Sequence, residues 1–253
     1  MPSFIRFPLI VAGLIGLLSG NNAIGQEKKK TEKPPEPPKI LMVIPPFIEQ
    51  DKTSKILLRG KQLDLVTSVE ASGKKAKIIR KGKAGVPQGL SADKQGDTEI
   101  EIEIISLKEN RLELITKKDE LASNPFELLV KNGILPEKEP NHGFSQSQEI
   151  NLPSTVHGKI QAAQDVDVFK IKADPGSMIQ VKIHAQKFGS ALDAMLTVYD
   201  PNGAKIIFAD DSKDSRDVAV SFKMPQCGIV NLCVQDANDR GGELFHYLIE
   251  VGK

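Results

Sequence analysis

The sequence predicts an all-β protein that contains two antiparallel β-sandwich domains in tandem. Short apolar runs separated by Gly, Pro, Asp and Lys turns recur along most of the chain, as is typical of sandwiches. In "TEIEIEII" (98–105), Ile100, Ile102 and Ile104 alternate with glutamates, which predicts a strand with one wet and one buried face. Neither half shows helical periodicity sustained over about a dozen residues, so we expect little helix.

The N-terminus has the pattern of a secretory signal peptide, which we assign to residues 1–25. Arg6 precedes the apolar run 7–18, and Ala23-Ile24-Gly25 fits a small-x-small cleavage site. A single membrane anchor is the alternative, but the run is shorter than the roughly 20 residues that a bilayer requires. We therefore expect a secreted or periplasmic protein of the cell envelope or extracellular space.

Residues 26–39, "QEKKKTEKPPEPPK", have no apolar side chain and are rich in proline and lysine. Such a segment cannot bury a core, so it is predicted to be a disordered tether. The whole chain of 253 residues carries a formal net charge of +1. A nearly neutral protein is not drawn to polyanions, so nucleic acid and anionic lipid are not expected partners, and no membrane contact is expected after cleavage of the signal peptide.

Residues 40–132 form the first predicted sandwich. Its predicted strands are 40–44, 55–59, 65–70, 76–80, 98–105, 111–116 and 126–130. The run 74–83, "KKAKIIRKGK", is the densest basic stretch of the folded part. Lysines on an edge strand block aggregation between sheets, so a solubilising edge is predicted there, with contact to an acidic surface polymer as the alternative.

Residues 133–149 are polar and contain proline and glycine, so they are predicted to be a linker; residues 150–253 form the second predicted sandwich. Its predicted strands are 155–160, 167–173, 178–185, 194–200, 205–210, 218–222, 229–235 and 244–251. Pro175-Gly176 and Pro201-Asn202-Gly203 supply turn chemistry between them. If "CGIVNLCV" (227–234) is extended, Cys227 and Cys233 lie about 20 Å apart, so we expect no disulfide between them.

The segment 137–253 resembles the bacterial pre-peptidase C-terminal domain, a jelly-roll-like β-sandwich of exported proteins. The resemblance runs through "EKEPN", "GKI", "DVDVFKIKADPGSMIQVKI", "GSALDAMLTVYDPNGAKI", "FADD" and "CGIVNLCVQDANDRGGELFHYLIEV". Residues 38–132 look more loosely like an IPT/TIG-type immunoglobulin-like (Ig-like) domain, through "PKILMVIPP" and "ILLRGKQLDLVTSVEASGKKAKI".

The resemblance implies a structural calcium site that begins at the E-x-E-x-N lead-in of calcium-binding relatives. Glu137, Glu139 and Asn141 match that lead-in. In an extended segment Glu137 and Glu139 project to one side, and calcium accepts six to eight oxygens at about 2.3–2.6 Å without strict geometry. A solvated linker is the alternative reading of these carboxylates.

The remaining implied ligands precede the second strand of the second domain. Asp167 matches the aspartate at the start of that strand in the relatives. Three residues earlier, the relatives have an acidic residue, but this sequence has Gln164, which carries no charge. We expect the neighbouring Asp165 to take the place of that acid. The predicted ligands are therefore Glu137, Glu139, Asn141, Asp165 and Asp167, with Ca²⁺ as the only expected cofactor.

No catalytic pattern is evident, so we expect no enzyme. The sequence has no GxSxG elbow and no HExxH helix, and its histidines, His142, His157, His184 and His246, lie in unrelated contexts. With no Trp and two Tyr, the chain lacks the aromatic platforms that bind single-stranded nucleic acid, and polysaccharide binding by stacking is not expected either.

These observations predict a secreted, non-catalytic binding or accessory module with a protein or cell-surface partner. Two alternatives stay open. One is an accessory or targeting domain that acts with a secreted protease, as the resemblance implies. The other is a hydrolase whose active site the sequence does not reveal, because a catalytic triad is assembled in space.

Overall fold

A computed structural model describes residues 35–105, 108–212 and 215–253 of the chain. The predicted signal peptide and most of the predicted tether lie outside the described residues. Within them, Pro38 is buried and Lys39 begins the first strand. Residues 36–253 form a compact unit.

The fold class predicted from the sequence is confirmed, because 51% of the structure is strand and 5% is helix. The sheets are antiparallel, apart from three short parallel pairings at sheet edges. No helix in the described part of the chain is long and apolar enough to cross a membrane.

The first sandwich packs two sheets face to face, in the orders β1-β3-β7-β6 and β2-β10-β8-β4-β5, with β9 paired to β8. One 3₁₀ turn, Leu63–Leu65, and one short helix α1, Ala92–Gln95, connect its strands. The strands are β1 (Lys39–Ile44), β2 (Phe47–Ile48), β3 (Thr53–Lys61), β4 (Ser68–Ala71), β5 (Lys74–Lys75), β6 (Lys77–Lys83), β7 (Thr98–Ile105), β8 (Arg111–Lys118), β9 (Leu121–Ala122) and β10 (Phe126–Val130).

Strand β7 shows the predicted alternation. Ile100, Ile102 and Ile104 are buried in the core of the first sandwich, while the glutamates between them lie on the outer face. Burying one face of each strand in this way supplies the main driving force for the packing of the two sheets. The basic run 74–83 divides between β5 and β6, each at the end of its own sheet, so it lies at sheet edges as predicted.

The second sandwich also has two sheets, in the orders β11-β13-β20-β15-β18 and β12-β14-β19-β16-β17. A 3₁₀ turn covers Gln186–Phe188. The strands are β11 (Leu135–Pro136), β12 (Gln148–Glu149), β13 (Ser154–Lys159), β14 (Asp167–Lys172), β15 (Met178–His184), β16 (Ala194–Tyr199), β17 (Lys205–Ala209), β18 (Ala219–Lys223), β19 (Ile229–Asp236) and β20 (His246–Gly252).

The two sandwiches pack against each other through a small apolar cluster and through Met42 of β1, which is buried with the core of the second sandwich. Ile134, Phe188 and Leu248 are buried there, and Phe47 and Leu129 of the first sandwich pack against them. Beside this cluster the side-chain amine of Lys131 donates hydrogen bonds to Thr155 and Glu250. The segment that joins the sandwiches therefore starts from a packed junction.

Candidate metal centre

The predicted lead-in, residues 137–141, bridges the two sheets of the second sandwich. At its start, the backbone N–H of Glu137 donates to the carbonyl of His157 in β13, at 3.0 Å. At its end, the carbonyl of Asn141 accepts from the N–H of Val168 in β14, also at 3.0 Å. Because β13 and β14 belong to different sheets, the lead-in crosses the end of the sandwich beside the first residue of β14, Asp167.

Three carboxylates meet at this crossing. Glu137, Glu139 and Asp167 each offer an oxygen within 4.8 Å of the others. Glu137 is held in place because its Oε1 accepts from the Asn141 side-chain amide at 2.9 Å and its Oε2 accepts from the Lys159 backbone N–H at 2.9 Å. The carboxylate of Glu139 accepts from the Asn141 N–H at 2.9 Å. We call Glu137, Glu139, Asn141 and Asp167 the inner group.

Two oxygens of the inner group are buried without a hydrogen-bond partner. They are Oδ1 of Asn141 and Oδ1 of Asp167, and both side chains belong to residues that are 0% exposed. A buried polar atom without a partner costs on the order of 1–3 kcal/mol, so folded proteins rarely retain one. Amide and carboxylate oxygens are the ligands that calcium prefers, and the inner group therefore fits a hard divalent cation.

The electrostatics of Asp167 agree with that fit. Burial first, and then the adjacent Glu137, raise the pKa of Asp167 to about 10. Its other oxygen, Oδ2, accepts a hydrogen bond from the Tyr247 hydroxyl at 2.5 Å. Burial and the nearby carboxylates also raise the pKa of Tyr247 above its usual range. Among the described residues, no lysine or arginine side chain pairs with Glu137, Glu139 or Asp167, and the nearest imidazole contact is His142 Nδ1, 3.7 Å from Glu139.

Sequence reasoning missed Tyr247 and the glycine that admits it. Tyr247 in β20 is completely buried and lies opposite Gly158 in β13. A Cβ atom at Gly158 would come within 2.4 Å of the Tyr247 hydroxyl oxygen. Only glycine at position 158 leaves room for the phenol of Tyr247 to reach Asp167. The sequence alone does not reveal this contact, because it depends on the pairing of β13 with β20, which are far apart in the chain.

Asp165 lies in a second, outer group. Its Oδ1 is 3.2 Å from Nδ1 of His142, and its Oδ2 accepts from the Gln161 backbone N–H at 2.7 Å. The ligand atoms of Glu139, His142 and Asp165 all lie within 4.8 Å of one another. Gln164 is exposed, and its backbone N–H donates to the Asp239 carbonyl. The structure thus places four of the five predicted ligands together and gives Asp165 a different neighbour, His142, that sequence reasoning had not included.

Each of the other three histidines contacts another titratable side chain. Nε2 of His157 and Nδ1 of His246 are 3.1 Å apart, with stacked rings, and burial lowers the pKa of each to about 4. His184 contacts Glu250 at 3.3 Å. Throughout the ranges 35–105, 108–212 and 215–253, the histidines form no hydrogen bond with a serine, threonine or cysteine. Cys227 is exposed, Cys233 is buried, and both are free thiols.

Comparison with known proteins gives one curated relative. No family model matches the chain. A probable subtilase-type serine protease of Deinococcus radiodurans is 29% identical over 106 residues, which cover 40% of this chain and 14% of that protein. The chain therefore spans about a seventh of the length of the protease that it matches.

Solved structures include similar domains. The pre-peptidase C-terminal domain of a collagenase from Bacillus anthracis is 14% identical, with a TM-score of 0.34, and covers 46% of this chain and 99% of that domain. A periplasmic inhibitor of g-type lysozyme from Salmonella Typhimurium is 16% identical, with a TM-score of 0.29, over 42% of this chain and 98% of the inhibitor. A pre-peptidase C-terminal domain is thus among the solved structures to which this chain is similar, as the resemblance in the sequence predicted. The resemblance of the first sandwich to IPT/TIG domains stays a prediction.

Proposed function

We propose that this chain is a secreted, non-catalytic accessory module that binds a secreted protease and whose lead-in is ordered by calcium. The sequence similarity to a short stretch of a subtilase-type protease carries the first part of this proposal. In the described part of this chain no serine, threonine or cysteine forms a hydrogen bond with a histidine, which favours binding over catalysis by a serine or cysteine nucleophile.

The inner group supports the calcium part of the proposal. Glu137, Glu139, Asn141 and Asp167 would hold the ion, and its charge would neutralise carboxylates that otherwise face one another. The two buried oxygens without partners, on Asn141 and Asp167, would then be satisfied. Because the lead-in touches both sheets, binding would fix the path of the linker between the sandwiches.

The expected energetic effect is moderate. Extracellular calcium modules bind in the range of about 10⁻⁴–10⁻³ M. At a ligand concentration ten times Kd, binding adds about 1.4 kcal/mol to the free energy of unfolding. For a protein of this size that corresponds to a rise in Tm of roughly 3–5 °C.

Thermal unfolding tests the calcium site. We expect 10 mM Ca²⁺ to raise the Tm of the protein above its value in chelator, and Glu137→Gln to abolish most of this shift, since the substitution keeps the shape but removes a charged ligand. Glu149→Gln is the matched control, because Glu149 is exposed and pairs with Lys172 outside the inner group. Equal Tm values with calcium and chelator in the native protein would contradict the site.

A serine-reactive probe tests the accessory role. The purified protein is incubated with culture fluid and envelope fractions of its source organism, recovered, and treated with a fluorophosphonate. We expect no label on the protein itself and a labelled serine hydrolase among the proteins recovered with it. Glu137→Gln should recover less of that hydrolase if calcium orders the binding surface.

The same experiment separates the alternatives. Label on this chain would show that it is a hydrolase and would overturn the proposal. If partners are recovered but none is a labelled hydrolase, the partner is another cell-surface or extracellular protein and not a serine protease. The function would then be that of a binding or adhesion module.

A further inference from the structure

The outer group lines an open cavity next to the inner group. Glu139, His142 and Asp165 surround it together with Pro140 and residues 161–164, and its volume is about 580 Å³. The mixture of one imidazole and two carboxylates differs from the all-oxygen inner group. The cavity leaves space beside the three side chains for further ligands.

The distances within the outer group suit a small divalent cation. Nδ1 of His142 is 3.2 Å from Oδ1 of Asp165 and 3.7 Å from Oε2 of Glu139. Four ligands placed tetrahedrally at about 2.0–2.1 Å from zinc are separated by roughly 3.3 Å. The ligand atoms of all three residues lie within 4.8 Å of one another, so side-chain shifts on the order of 1 Å would bring them around one ion.

Contacts from outside the group hold both carboxylates in place. Oδ2 of Asp165 accepts from the Gln161 backbone N–H at 2.7 Å, and Oε1 of Glu139 accepts from the Gln161 side-chain amide at 3.1 Å. The Asp165 side chain is only 5% exposed, whereas that of His142 is 56% exposed. Partners of this kind orient ligands and strengthen metal sites. The carboxylate of Asp165 is therefore held in one orientation, and the exposed imidazole of His142 is free to move towards a bound ion.

The chemistry of the donors selects the metal. Calcium binds oxygen and rarely imidazole, whereas first-row divalent metals such as Zn²⁺ bind imidazole and carboxylates together. We propose that Glu139, His142 and Asp165 form a site for a first-row divalent transition metal, represented by Zn²⁺, with its remaining position open to the cavity. Water or a carboxylate of a bound partner would occupy that open position.

This site does not depend on the proposed function. Three members of the inner group, Glu137, Asn141 and Asp167, are not ligands of the outer ion. Only Glu139 is shared, so a calcium ion and a transition metal would be neighbours. The two sites can therefore be tested separately with single substitutions.

Calorimetric titration of the purified protein with ZnCl₂, in buffer that contains 5 mM Ca²⁺, tests the proposal. We expect one zinc site, and a loss of affinity of at least about tenfold in His142→Gln. Since the His142 side chain is largely exposed, this variant should keep the Tm of the native protein and its response to calcium. Zinc should also shift the Nδ1 resonance of His142 in imidazole ¹⁵N spectra.

Two matched variants locate the ion. Glu137→Gln removes an inner ligand and should leave zinc affinity unchanged, and His184→Gln removes a histidine elsewhere and should do the same. Equal zinc affinity in His142→Gln and the native protein, or an equal loss in Glu137→Gln, would overturn the proposal. Absence of zinc binding by the native protein would also overturn it and would reduce the outer group to an ion pair of imidazolium and carboxylates. If calcium does not raise the Tm of the protein, each of these zinc titrations can still be interpreted.

Discussion

Acidic side chains have opposite environments in the two sandwiches. In the first, the glutamates of β7 lie on an outer face beside the basic edge strand β6. Arg80 pairs with Glu101 at 2.7 Å and with Glu99 at 2.5 Å, and Lys77 pairs with Glu103 at 3.3 Å. The first sandwich thus supplies its own cations.

In the second sandwich the acids of the inner group face one another. Lys159 donates its backbone N–H to Glu137, while its side-chain amine pairs with Glu243 at 2.7 Å. The difference shows that acidic composition alone does not define a metal site. Carboxylates on a sheet face are neutralised by the adjacent strand, whereas Glu137 and Asp167 meet beside the lead-in, where no described lysine or arginine side chain pairs with either of them.

The largest expected effect comes from closing the space beside Tyr247. Gly158→Ala should lower the free energy of unfolding by about 3 kcal/mol, because overpacking of a filled core displaces neighbours and here displaces the phenol that hydrogen-bonds to Asp167. Gly82→Ala in β6 is the control, since its Cβ would meet no atom within 4 Å. Urea unfolding of both variants measures the difference, and equal stabilities would show that the sheets absorb the extra methyl group.

A smaller effect is expected at the junction of the sandwiches, where an acid does have basic neighbours. Contacts with His184 and Lys131 lower the pKa of Glu250 to about 2. A lowered pKa in the folded state stabilises the protein above pH 4.5, and this contribution is lost as the pH falls towards 2. Glu250→Gln should therefore cost about 1 kcal/mol at pH 7, a value reduced for screening because 34% of the side chain is exposed.

The measurement for Glu250 is the difference in unfolding free energy between the native protein and Glu250→Gln from pH 7 to pH 2. We expect this difference to shrink as the pH falls below 4.5. A difference that does not change with pH would mean that the contacts of the neutral side chain, and not its charge, stabilise the junction.

The smallest effect is expected on the outer face of the first sandwich. Arg80→Gln should leave the urea midpoint unchanged within experimental scatter, because exposed ion pairs contribute little and salt screens them. The comparison is made at low and at 0.5 M salt. A marked loss of stability in Arg80→Gln that disappears at high salt would show that the glutamates of β7 depend on their basic partners more than their exposure indicates.

The sequence was a good guide to the strands and to the lead-in. Alternating Ile and Glu predicted β7 because strand side chains point to opposite faces, and the lysine-rich run predicted an edge that β6 does form. The lead-in and Asp167 could be named because a resemblance supplied the pairing of two separate motifs. Asp165 was grouped with them on proximity in sequence alone, although the turn 161–165 directs its carboxylate to His142.

By itself, the order of residues determined the all-β architecture, because strand periodicity is a local property of consecutive side chains. Only the tertiary structure decided which oxygens meet, which of them stay buried without a partner, and that Gly158 makes room for Tyr247. Those relations arise where β13, β14 and β20 come together from distant parts of the chain. Strand pairing and burial bring these residues together in space, and no pattern of consecutive residues specifies which distant residues will meet.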